Sequence, residues 1–221
     1  MKIVHECLNE AINFDICPVY SLIIENSELF YKFTNDLFNQ CNGEDGDFVL
    51  SNNFKLDKFE KQAVFIHDYF NLSCSGIKID KLIKSSILEK LNELDNFELM
   101  SRINQLIIEI NEKVIDMVDL DLKFDDEFDY EKLIKISNFK IKEDSVLIEK
   151  LYSYIDIFVK LKNIKLVILV NLFDYFSEVQ INDLLKQLRY NELFVLIVNS
   201  HEKYNLENAK RIIIDDDLCE I

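Results

Sequence analysis

Glycine and proline are nearly missing: three Gly (Gly43, Gly46, Gly76) and one Pro (Pro18) serve 221 residues, and there is no Trp. Collagen-like, barrel and Gly-rich-loop designs are poorly supported, because they depend on those residues at turns and close approaches. Scarce punctuation favours long helices. Arginine is also rare, with Arg102, Arg189 and Arg211 alone. Lysine-dominated contacts neutralise phosphates, whereas arginine reads base edges bidentately. The longest apolar runs are Leu166–Val170 and Leu193–Val198. A spanning helix needs about 20 apolar residues, so no membrane crossing is expected. The first residues turn polar at His5 and Glu6, too early for a signal-peptide core. Five cysteines (Cys7, Cys17, Cys41, Cys74, Cys219) include no C-x-x-C pair. An odd, unspaced set reads as free thiols in a reducing compartment, and a cytoplasmic location is expected.

What is present is an ordinary globular composition with a strong acidic bias. Apolar residues make up 49% and charged residues 30%, with 25 Lys+Arg against 41 Asp+Glu and a net charge of −16. A chain of this length buries roughly 70–75% of its unfolded surface, so it needs no disulfide or metal staples. The bias argues against a protein that simply coats nucleic acid. Acidic excess is spread over all thirds of the chain, without a basic arm or acidic tail. A cationic surface would have to be assembled in three dimensions or between subunits.

Apolar spacing divides the chain into three parts. In the first, Val19–Glu25 reads as a strand, Ser27 occupies an N-cap position, and Leu29, Phe30, Phe33, Leu37 and Phe38 follow at helical spacing. Asn42-Gly43-Glu44-Asp45-Gly46 is the clearest turn. Phe48–Leu50 and Ala63–Ile66 read as strands separated by Lys-rich polar chain. In the middle part, Leu82, Ile83, Ile87, Leu91 and Leu94 form one amphipathic face. Leu99, Ile103, Leu106, Ile107, Ile110, Val114 and Met117 form another, and the two helices are expected to pair antiparallel about Asp95-Asn96. Leu120–Phe124 and Phe139–Ile141 read as short strands around a short helix at Tyr130–Ile136. In the last part, helices at Val146–Leu161 and Val179–Leu188 alternate with strands at Lys165–Val170, Phe194–Val198 and Arg211–Ile214. Continuous β-branched strands alternating with helices predict an α/β fold with a mostly parallel sheet.

The chemistry-bearing residues are few. Ligands in such folds bind at strand C-termini, but the chain after the first long strand reads Glu25-Asn26-Ser27-Glu28. It lacks the glycines and lysine of a phosphate-cradling loop, so NTP hydrolysis is not expected. Asn171 stands at a strand end where a magnesium site would place a carboxylate. Residues 116–131 hold eight carboxylates and a single lysine, Lys123. Asp119 and Asp121, two apart on an expected strand, share a face, and Asp125, Asp126 and Glu127 follow in a turn. Clustered carboxylates on irregular backbone suit Ca²⁺, although no EF-hand spacing is present. A solvated acidic turn at a helix N-terminus explains them equally well. His5, His67 and His201 show no metal spacing. For nucleic acid the candidates are Lys55, Lys58 and Lys61, and a second group at Lys132, Lys135, Lys140 and Lys142, set against the alternative of a solvated surface.

The order of elements resembles the type II-A CRISPR-associated adaptation proteins of the Csn family, in their short, ring-forming version. The resemblance is best in Lys165–Asn171, in Leu193–Val198, and from Asp119-Leu120-Asp121-Leu122 through Leu133-Ile134-Lys135. It implies a head domain like a degenerate P-loop fold at residues 1–75 and 138–221, with an inserted α-helical leg domain at 76–137. It also implies a non-enzymatic homotetramer that holds double-stranded DNA by its ends, without sequence preference, during spacer acquisition. Carried over residue by residue, Ca²⁺ would be held by Asp119, Asp121, Asp126 and Glu127. DNA would meet Lys55, Lys58 and Lys61; Lys132 and Lys135, from the second lysine group of the sequence, are the further DNA-binding candidates. Other adaptation proteins are the implied partners. Two alternatives stand beside this reading: an acidic protein-interaction scaffold, and a metal-dependent nuclease at Asp119–Glu131.

Overall fold

The computed structural model describes residues 1–72, 77–93, 97–118, 123–124, 139, 141 and 144–221. The chain divides into two compact units, Met1–Cys74 with Glu143–Ile221, and Ser75–Lys142.

The first unit is built on two sheets. Strands β3 (Val19–Ile24), β6 (Ala63–Ile66), β7 (Leu166–Val170), β8 (Phe194–Asn199) and β9 (Lys210–Ile214) form a parallel sheet in the order β6-β7-β8-β3-β9. All residues of β3 and β7 are buried, as continuous apolar runs require when both faces are covered. Alternation divides them between two cores. Tyr20, Leu22, Ile24, Leu166 and Ile168 enter one, and Val19, Val167 and Leu169 the other.

The first core is closed by helix α1 (Ser27–Cys41), which buries Phe33 and Leu37, and by a small antiparallel sheet. That sheet has the order β2-β1-β4-β5, from β1 (Lys2–Val4), β2 (Ile12–Asn13), β4 (Val49–Asn52) and β5 (Lys55–Asp57). The second core is closed by α5 (Leu147–Lys162) through Leu151 and Ile155, and by α7 (Glu178–Tyr190) through Ile181, Leu184, Leu185 and Leu188. Each fully buried Leu or Ile contributes about 1.5–3 kcal/mol. A four-residue helix, α2 (Phe59–Gln62), leads into β6, and α6 (Leu172–Tyr175) follows β7.

Local signals fix the helix ends. Asn26, not Ser27, caps α1: its extended backbone lets Oδ1 accept from the Leu29 N–H at 3.0 Å, and Ser27 becomes the first helical residue. At the other end, the Gly43 N–H donates to the Gln40 carbonyl and the Glu44 N–H to the Asn39 carbonyl. Gly43 has φ of +92°, so the expected turn at Asn42–Gly46 begins as a Schellman helix stop. Ser177 and Gln180 form a capping box on α7.

The second unit contains α3 (Ile77–Glu93) and α4 (Phe97–Val118). On α4, Leu99, Leu106, Ile110, Val114 and Met117 are all more than half exposed. The connection expected at Asp95-Asn96 and the helix expected at Tyr130–Ile136 lie outside the described residues. The short strands expected at Leu120–Phe124 and Phe139–Ile141 lie partly outside the described residues; the described Lys123, Phe124, Phe139 and Ile141 are not in a strand. No described helix is long and apolar enough to cross a membrane.

Candidate nucleic-acid interface

Lys55, Lys58 and Lys61 lie on consecutive small elements of the first unit. The polar chain expected between two strands is itself a hairpin: β4 pairs with β5 through Ser51 opposite Leu56 and Asn52 opposite Lys55. The connecting residues Asn53 and Phe54 both have positive φ, +48° and +61°, the backbone of a type I′ turn. Lys55 opens β5 at the sheet edge, Lys58 precedes α2, and Lys61 lies within it. Phe59 between them is buried and holds α2 to the core.

All three lysines are exposed, and none forms an ion pair with a described residue. Phe54 is fully exposed and Leu56 is 81% exposed, so two apolar side chains stand beside the cations. Carboxylates are close as well: Glu44, Asp45, Asp57 and Glu60 line the same 240 Å³ hollow as Lys58. A single chain therefore presents a mixed field here. Lys132, Lys135, Asp119, Asp121, Asp126 and Glu127 lie outside the described residues, and so do Lys140 and Lys142.

The chain after β3 is arranged differently from a phosphate cradle. The Glu25 N–H donates to the Ile214 carbonyl at 2.9 Å, the Asn26 side chain takes the Leu29 N–H, and Glu28 sits in the first turn of α1. Anions favour a helix N-terminus whose amides are free and whose surroundings are not negative; this one has its own cap and a carboxylate. At the end of β7, Asn171 serves as a cross-link. Its N–H donates to the Val198 carbonyl at 2.8 Å, and its Oδ1 accepts from the Ser200 N–H at 3.3 Å. Asn199 returns the connection by accepting from the Phe173 N–H.

The three histidines stand in separate surroundings. His201 faces Asp174 at 3.4 Å, and His67 packs on Phe38 and Phe65. His5 is buried between Phe33 and Phe48, with ring centroids 4.3 and 4.4 Å away. One ligand atom from each of His5, Asp36 and Asp47 lies within 4.8 Å of the other two. This trio is built against a metal nevertheless. Nδ1 accepts the Cys7 N–H at 3.1 Å, which places the proton of the neutral ring on Nε2 and leaves neither nitrogen with a free lone pair. The Lys32 ammonium, 3.2 Å from Asp47, already supplies the cation. Burial holds the His5 pKa below its usual 6.5, helped by the Lys32 charge, so the ring is neutral at pH 7.

Phe54, the hairpin turn and the His5 trio have no signal in the sequence. Asn53-Phe54 carries no glycine, and the trio is assembled from three segments by tertiary folding. The apolar strands of the parallel sheet, which the sequence does show, fall largely within the span matched by a family model. That model, described as CRISPR-associated protein (Cas_Csn2), matches residues 40–218. With more than half its length matched, the chain belongs to the Cas_Csn2 family of type II-A CRISPR adaptation proteins.

Proposed function

We propose that the protein is a non-enzymatic double-stranded DNA-binding component of spacer acquisition, acting as a ring-shaped homotetramer that takes duplex by its ends. The observation that carries this reading is the set of three exposed lysines, Lys55, Lys58 and Lys61, without carboxylate partners among the described residues. Family membership supplies the setting of CRISPR adaptation. Lysines beside Phe54 favour contact with the backbone over base reading, so binding is independent of sequence and steeply salt-dependent. The capped, carboxylate-bearing start of α1 favours a head that resembles a P-loop fold without its nucleotide chemistry.

A chain at −16 repels DNA unless cations are concentrated. Assembly into a ring would bring four copies of the lysine-bearing hairpin around one duplex. Ca²⁺ at Asp119, Asp121, Asp126 and Glu127, the ligands given by the resemblance, would offset carboxylates. The exposed apolar stripe of α4 supports association with further chains, since a run of apolar side chains along a solvated helix face marks an interaction surface. The same stripe favours the second reading, an acidic scaffold that recruits other adaptation proteins.

The test replaces Lys55, Lys58 and Lys61 together by Glu and measures duplex affinity by fluorescence anisotropy over a salt series. The proposal expects affinity to fall more than tenfold. The salt slope should become shallower by about one for each phosphate that is no longer neutralised. Unchanged affinity and slope would remove these lysines from the interface and favour the scaffold.

A further inference from the structure

A hollow of about 410 Å³ opens at the C-terminal ends of β6 and β7, within the usual size range of small-molecule sites, about 300–1,000 Å³. It is lined by Tyr31, Thr34, Asn35 and Phe38 from α1, by Phe65 and His67 at the end of β6, and by Val170 and Asn171 at the end of β7. Carboxyl ends of parallel strands are where open α/β sheets take their ligands. The first four residues are spaced i, i+3, i+4 and i+7, so they form one stripe of α1 next to its buried Phe33–Leu37 face.

That stripe has the wrong composition for a plain solvated surface. Tyr31 is 69% exposed and Phe38 42% exposed. Phe38, Phe65 and His67 form a ring cluster with every centroid pair 5.7 Å apart. None of the three pairs is stacked face to face: the interplanar angles are 69°, 83° and 49°.

The polar groups define the ligand further. The side chains of Tyr31 and Asn35 and the Nδ2 of Asn171 make no hydrogen bond among the described residues. They offer both donors and acceptors. Among the described residues, no Lys, Arg, Asp or Glu lines the hollow, so a phosphate would find no fixed countercharge there. Aromatic walls with unpaired amide and hydroxyl groups, and without the fixed charges of Lys, Arg, Asp or Glu, suit a planar, neutral heteroaromatic ring with donors and acceptors on its edge.

We propose that this hollow receives an unstacked nucleobase, presented by a free nucleoside or by an unpaired nucleotide of a nucleic-acid strand. The site is distinct from the Lys55–Lys61 hairpin and does not depend on the duplex-end reading.

The absence of Trp makes a direct test available, because a fluorescent purine can be excited without interference from indole. The probe is 2-aminopurine riboside, whose emission is quenched by stacking, titrated with the full-length protein. A second arm uses a single-stranded oligonucleotide carrying 2-aminopurine at its 3′ end. The expected result is saturable quenching of at least one probe, weakened about tenfold or more in Phe38→Ala, the scale of one base–aromatic stack. Quenching of the riboside assigns the site to free nucleosides, and quenching of the oligonucleotide alone assigns it to strand ends. Tyr31→Ala, at a more exposed position, repeats the test without touching the core, and circular dichroism shows that both variants fold. The Lys55/Lys58/Lys61→Glu protein should quench the riboside normally even if it loses duplex. Absence of saturable quenching in both arms, or quenching indifferent to both Phe38→Ala and Tyr31→Ala, would overturn the proposal.

Discussion

The Tyr69 hydroxyl donates to the Val170 carbonyl at 3.0 Å, joining residues 101 apart in sequence. Tyr69 is fully buried, with its ring 4.7 Å from that of Tyr175 and edge-on to Phe176. The bond ties the chain leaving β6 to the last residue of β7, the neighbouring strand. Burial raises the phenol pKa above its usual 10, so it remains a donor throughout the physiological range.

Tyr69→Phe removes this donor and keeps the ring. The expected loss of stability is about 1 kcal/mol, the net worth of one intramolecular hydrogen bond. Urea unfolding with an unchanged m-value would register it as a lower midpoint. A midpoint equal to that of the parent protein would mean that the bond contributes nothing.

His5 makes stability depend on pH. Its folded pKa is held below 6.5, chiefly by burial and also by Lys32, while Asp47, Glu6 and Asp36 act in the opposite direction. The unfolded chain therefore takes up the proton first as pH falls. Stability is complete above about 6.5 and declines as pH drops from there toward the folded value. Protonation would also place a hydrogen on Nδ1, against the Cys7 N–H. The urea midpoint should fall between pH 7.5 and 5.5, and His5→Phe should flatten that part of the profile. An equal slope in His5→Phe would assign the pH dependence to other groups.

Gly43 adopts a left-handed backbone at the end of α1, and a Cβ there would lie 2.7 Å from the Glu60 Oε2. The carboxylate end can swing aside, so the cost is mainly conformational. Gly43→Ala is expected to lower stability by about 1 kcal/mol, measurable by thermal unfolding. An unchanged midpoint would indicate that the helix stop can relax to another geometry.

The long strands can be read from sequence because both their faces are buried: β7, Leu166–Val170, has no polar residue to obscure the run. The edge sheet cannot. β1 and β2 are three and two residues long, and they exist through pairing with each other and with β4. The α1 cap lies one position before the expected Ser27 because Asn26 and Ser27 are both good capping residues, and only the backbone angle separates them. On α1, the helical spacing places Phe33, Leu37 and Phe38 together. The structure buries the first two and leaves Phe38 at the rim of a hollow. Spacing identifies a face, whereas the width of that face is set by what packs against it. The lysines are visible as residue types, but their hairpin is not, because Asn53-Phe54 reaches positive φ without glycine.

Removal of divalent metal offers a separate check on the proposed assembly. If Ca²⁺ offsets carboxylates, a Ca²⁺ chelator should weaken duplex binding and reduce the oligomer, and added Ca²⁺ should restore both. Replacing Asp119 and Asp121 by Asn should reproduce the chelated state without any change in DNA cleavage. Loss of a cleavage activity in that variant would instead favour a nuclease.

Whether the protein is a ring that takes duplex by its ends is decided by multi-angle light scattering in Ca²⁺, alone and with linear or covalently closed circular duplex. The proposed ring predicts a mass near four chains that shifts with linear DNA and not with closed circles, because a ring must be threaded from an end. A monomer or dimer, or a complex formed equally with closed circles, would contradict it.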